Sequence, residues 1–79
     1  MVRVAQRGRF SIYVYVEQGG RHHLPHCHVR WPEGAARLAL PNLNVFPGDE
    51  LPATARRLVE EHKAEINAAW NRLNPGRTV

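Results

Sequence analysis

The stretch Phe10-Ser11-Ile12-Tyr13-Val14-Tyr15-Val16 limits the choice of fold more than any other part of the chain. β-Branched and aromatic residues run through it, and in an extended backbone successive side chains point to opposite faces. Phe10, Ile12, Val14 and Val16 then share an apolar core face, while Ser11, Tyr13 and Tyr15 share a face that can stay half exposed. Such a strand needs neighbours to pair with and a cover for its apolar side.

The neighbours follow in order. Glu17-Gln18-Gly19-Gly20-Arg21 breaks the first strand with paired glycines. Leu24-Pro25 leads into an extended run, because the residue before proline avoids helical backbone. From Cys27 to Trp31 the alternation puts His26, His28 and Arg30 on one face and Cys27, Val29 and Trp31 on the other. Trp31-Pro32-Glu33-Gly34 reads as a turn. Residues 35–40 form a third strand with Ala36, Leu38 and Leu40 on one face and Arg37 on the other. Residues 41–46 are a short fourth strand or a covering loop, and Pro47-Gly48 ends them. Residues 1–8, which carry Arg3 and Arg7, read as a flexible basic arm or a short edge strand.

One helix supplies the cover. Ala55, Leu58, Val59, His62, Ile66, Ala69, Trp70 and Leu73 recur at three- and four-residue spacing. Asp49 and Glu50 sit where the positive end of the helix dipole would be, Pro52 suits the first turn, and Asn74-Pro75-Gly76 stops the helix. The expectation is a single domain over residues 1–79. Its class is α+β: an antiparallel sheet of three or four strands, with one long C-terminal amphipathic helix over residues 52–73 packed on one face. The helix covers Phe10, Ile12, Val14, Val29, Trp31 and Leu38. The open face carries Tyr13, Tyr15, His26, His28, Arg30 and Arg37.

Composition narrows the partners. The chain has 79 residues and a formal charge of +4, and arginine dominates its basic residues. Arginine suits planar contact with phosphate or carboxylate, so RNA, DNA or an acidic protein are the natural partners, against the plainer reading of a solvated basic surface. A single cysteine cannot form an internal disulfide, and no apolar run approaches the roughly 20 residues of a membrane span. The chain is read as soluble and cytoplasmic.

Three chemistries fit the open face. The first is metal-independent RNA cleavage with His26, His28, Arg30 and Tyr13 as catalytic candidates: histidines exchange the protons, and arginine meets the charge on the phosphorane. His26 and His28, about 6.5–7 Å apart along a strand, can flank a phosphate. Tyr15, Arg37, Arg21 and Arg9 are candidates for holding the nucleic acid. The second is a zinc or nickel site built from His23, His26, His28 and His62, although no carboxylate or paired cysteine stands nearby. The third uses the same face only to bind nucleic acid or an acidic partner. His62 lies on the apolar stripe as a core histidine or as a group reaching the histidine stretch. Cys27, Trp31 and Trp70 read as core.

Leu24-Pro25-His26-Cys27-His28-Val29, followed by residues 55–62 with His62 and by Trp70, resembles a family of small bacterial proteins catalogued as domain of unknown function four-one-six-zero. Its members look like a strand, a Pro-Pro-His-Phe-His-Val-type motif after an acidic turn, and a helix with a histidine and a late tryptophan. Pro25, His26, His28 and His62 match by position. Leu24 replaces the first proline, Cys27 the aromatic, and Gln18-Gly19-Gly20-Arg21 the usual acids, which weakens any role for a carboxylate beside a histidine. The resemblance implies one half of a type II toxin–antitoxin pair. The toxin half is preferred, acting on RNA without a cofactor and neutralised by a small acidic cognate protein in a homo- or hetero-oligomer. The antitoxin or DNA-binding half stays open, with only one strong helix in view and no helix-turn-helix pattern.

Overall fold

The computed structural model describes residues 2–17 and 24–79. Gln18, Gly19, Gly20, Arg21, His22 and His23, and with them the glycine break expected after the first strand, lie outside the described residues. The elements are β1 (Val2–Arg7), β2 (Phe10–Val14), β3 (His26–Trp31), β4 (Gly34–Ala39), β5 (Asn44–Val45), α1 (Ala53–Glu61) and α2 (Lys63–Leu73), followed by a 3-10 turn at Pro75–Arg77. The sheet is an antiparallel meander in the order β1-β2-β3-β4-β5. The α+β class holds, with five strands where three or four were expected. The two-residue β5 is the short fourth strand expected within residues 41–46, and the fifth is residues 2–7, which pair with β2 as an edge strand rather than hanging free as an arm.

The alternation set the core. Ile12, Val14, Cys27, Val29, Ala36 and Leu38 lie fully or almost fully buried under Ala55, Leu58, Val59, Ile66 and Trp70 from the helices. Trp31 is only half buried and packs at the margin against Phe10, with ring centroids 5.7 Å apart. A β-carbon on Gly34 would come within 3.1 Å of the Trp31 ring, so a side chain there would require that ring to shift by a few tenths of an ångström. Val16, expected in the core stripe, is exposed, because β2 stops at Val14 and the chain leaves the sheet.

The expected single helix over residues 52–73 is two helices. His62, at φ −110° and ψ 18°, separates them. In an unbroken helix its backbone N–H would donate to the Leu58 carbonyl four residues back. Here that N–H donates to the Val59 oxygen at 3.2 Å, and the His62 ring Nδ1 donates to Leu58 O at 3.0 Å instead. A side chain that takes over a ladder carbonyl is a recognised cause of a helix break. The acids expected on the helix dipole also go elsewhere. Pro52 is the N-cap, the first turn of α1 holds no acid, and Asp49 binds Arg37 of the sheet. No helix among the described residues is long and apolar enough to cross a membrane.

Candidate functional site

The face of the sheet opposite the helices carries a row fixed by backbone register. Arg3 of β1 pairs with Tyr13 of β2, Tyr13 with His28 of β3, and His28 with Arg37 of β4. Directly opposed residues on neighbouring strands point to the same side, so these four side chains are neighbours across the sheet. Arg30 lies one step along β3, its guanidinium 5.7 Å from the Tyr13 ring centroid and 5.9 Å from that of Tyr15. The two tyrosine rings are 6.4 Å apart, and Tyr15 meets His28 edge-on at 4.8 Å. A continuous aromatic and cationic surface results. Arg30 is exposed and makes no ion pair among the described residues.

His26 departs from the expected open position. It is buried, its ring centroid 4.9 Å from that of His28, 5.8 Å from Phe46 and 6.0 Å from Trp70. Trp70 of α2 and Phe46 just after β5 enclose its ring, so alternation alone no longer decides exposure. The His26 Nδ1 donates to the Leu24 carbonyl at 2.7 Å, and Nε2 meets the Glu17 carboxylate at 3.2 Å. Both ring nitrogens are therefore occupied. Glu17 also supplies the carboxylate that the departures at residues 18–21 had put in doubt.

Glu17 is held in turn by Asn74. The Asn74 amide, buried beyond the end of α2, accepts from Glu17 N at 2.8 Å and donates to Tyr15 O at 3.2 Å. One side chain thus supplies hydrogen-bond partners to the backbone as it leaves β2. Burial, rather than charge alone, sets the chemistry of His28. Desolvation first, then His26 and Arg30 nearby, lower its pKa from 6.5 to about 4, which leaves a neutral imidazole at neutral pH.

The remaining candidates divide. The Arg37 guanidinium is clamped by Asp49, which takes its backbone N–H at 2.8 Å and its Nε at 3.1 Å and raises the arginine pKa, while Arg37 holds the Asp49 carboxyl below its ordinary range. It also lies 4.9 Å from the Phe46 ring centroid. Arg9 is at the far end of the sheet, in the β1–β2 turn, ion-paired with Glu33 and apart from the tyrosines. Arg21 and His23 lie outside the described residues. His62 is spent on the helix junction, and among the described residues no three His, Cys, Asp or Glu side chains gather to hold a metal. Cys27 is fully buried, and its thiol pKa is pushed up to about 12 by burial.

Glu17, Phe46, Asp49, Asn74 and Arg3 join the site without having been proposed for it. Glu17 was within reach: it continues the 11, 13, 15 alternation of the tyrosine face. Asn74 carried no such signal, since an asparagine after a helix reads only as a stop. Neither the curated proteins nor the solved structures contain a match to this chain. A family model does match, spanning residues 10–71 and so taking in the tyrosine strand, both motif histidines and most of the two helices. The chain belongs to the family described as Domain of unknown function (DUF4160).

Proposed function

We propose that the open sheet face binds single-stranded RNA, and that the chain is the toxin half of a bacterial type II toxin–antitoxin pair acting in the cytoplasm, with a small acidic protein as its antitoxin. The observation that carries the RNA reading is the placement of Arg30 beside both Tyr13 and Tyr15. Half-exposed rings still offer flat surfaces on which unpaired bases stack, and a cation among them meets the phosphates between those bases. A net charge of +4 favours approach to RNA and capture by an acidic partner. The toxin half is preferred because a small basic chain with an open cationic face suits both.

A second reading, cleavage of the bound RNA, rests on the neutral state of His28. A neutral imidazole can accept the 2′-OH proton, Arg30 can meet the charge that develops on the phosphate, and Tyr13 is the hydroxyl placed across the sheet to protonate the leaving oxygen. His26, with both nitrogens engaged, positions the site instead of exchanging protons. No cofactor enters this scheme.

The test is a titration of fluorescent single-stranded RNA, with electrophoresis of the same samples. Binding that weakens in Tyr13→Ala and Arg30→Ala supports the reading. Shortened RNA in the wild type but not in His28→Ala adds cleavage. Undiminished binding by both binding variants rules the face out.

A further inference from the structure

We infer that the free edge of β1, together with the groove beside it, binds an extended acidic segment of a partner protein as a sixth strand of the sheet. The inference rests on the reading of the chain as one half of a two-protein pair, and it names the surface the acidic half uses. β1 is a six-residue edge, whereas the opposite edge, β5, has two residues. On the side away from β2 its backbone has no partner among the described residues. An edge of this length presents a row of N–H and C=O groups to any chain that can lie along it.

The surroundings select the partner. A groove of about 310 Å³ runs between this edge and α2, with Val2, Arg3 and Val4 on the strand side and Glu65, Ala68 and Arg72 on the helix side. Neither Arg3 nor Arg72 makes an ion pair among the described residues. Ala68 leaves room above the helix for alternate side chains of an added strand. A second copy of this chain fits poorly. An antiparallel pairing of two β1 strands centred on Ala5 sets Arg3 of each opposite Arg7 of the other, and like charges directly opposed are destabilising. The register shift between Arg3 and Ala5 further opposes flat self-pairing. A strand alternating acidic and apolar residues meets both requirements: on the open side its acids reach Arg3, and on the helix side its apolar side chains enter the groove over Ala68.

The probe is a capped synthetic peptide of alternating valine and glutamate, added to the isotopically labelled full chain and followed by backbone amide shifts. The valine–lysine counterpart is the control. The expected result is shifts confined to residues 2–7 and 65–72 with the glutamate peptide alone. Affinity should fall roughly tenfold in Arg3→Glu and also in Ala68→Leu, which fills the groove yet keeps a good helix former. Shifts centred on Tyr13, Tyr15 and Arg30, no shifts at all, unaltered affinity in both variants, or a dimer whose β1 amides are already protected would each overturn the inference. Arg30→Ala, on β3 and away from the β1 edge, should leave peptide binding unchanged, so loss of RNA binding and loss of edge binding are read separately.

Discussion

Glu17 and His26 meet at 3.2 Å in a largely buried pair that neither β2 nor β3 would form alone. Glu17 has already left the sheet, and His26 is the first residue of β3. The Asn74 amide fixes the one, and the Leu24 carbonyl fixes the ring of the other. His28, beside His26, thereby becomes the one motif histidine on the open face.

The two motif histidines should therefore behave differently on truncation. His26→Ala removes a buried ring and leaves Glu17 facing a cavity, and should cost about 2–4 kcal/mol of stability. His28→Ala removes a half-exposed ring and should cost under about 1 kcal/mol. Urea unfolding of the two variants beside the wild type measures both. Equal losses would mean that His26 is not in the core.

Asn74→Ala should destabilise the chain by about 1–3 kcal/mol, because Glu17 N and Tyr15 O lose a buried partner. It should also speed amide exchange at Glu17 while the exchange of β3 and β4 changes little.

His28 should make the fold acid-sensitive. Its folded pKa of about 4 lies below the ordinary 6.5, so in the window between them the unfolded chain binds a proton that the folded chain does not. Stability from this residue is fully present above about pH 6.5 and is lost as pH falls towards 4. The His28 ring-proton resonances should titrate with a midpoint near 4, and His28→Gln should flatten the fall in stability over that window. A midpoint near 6.5 would mean that burial does not depress the His28 pKa and would remove this source of acid sensitivity.

Cys27, buried and with its thiol raised to about 12, should resist thiol reagents in the native state and react only as the chain unfolds. Fast labelling at neutral pH would contradict its place in the core.

The membership of the open face was legible in the sequence because a two-residue period alone decides which side chains of a strand share a side; the register between strands was not. Tyr13, His28 and Arg37 needed no further information. His26 was misplaced because its burial comes from Trp70 and Phe46, which reach it through tertiary packing that no local pattern encodes. The break at His62 was equally hidden. Its spacing fits the apolar stripe, and only the ring's choice of the Leu58 carbonyl ends the ladder. Asp49 looked like a helix acid, yet it binds the Arg37 backbone and guanidinium twelve residues earlier.

Binding of short single-stranded RNA by the wild type and by Tyr13→Ala/Tyr15→Ala, measured by anisotropy over a range of salt, bears most directly on the proposed role. Each stacked base lost should cost about 1–3 kcal/mol, so the double variant should bind at least roughly tenfold more weakly while unfolding like the wild type. Arg30→Ala should lower the salt slope by about 0.7, the loss of one phosphate contact. Equal affinity in wild type and double variant, or no binding by the wild type at low salt, would contradict RNA recognition by this face.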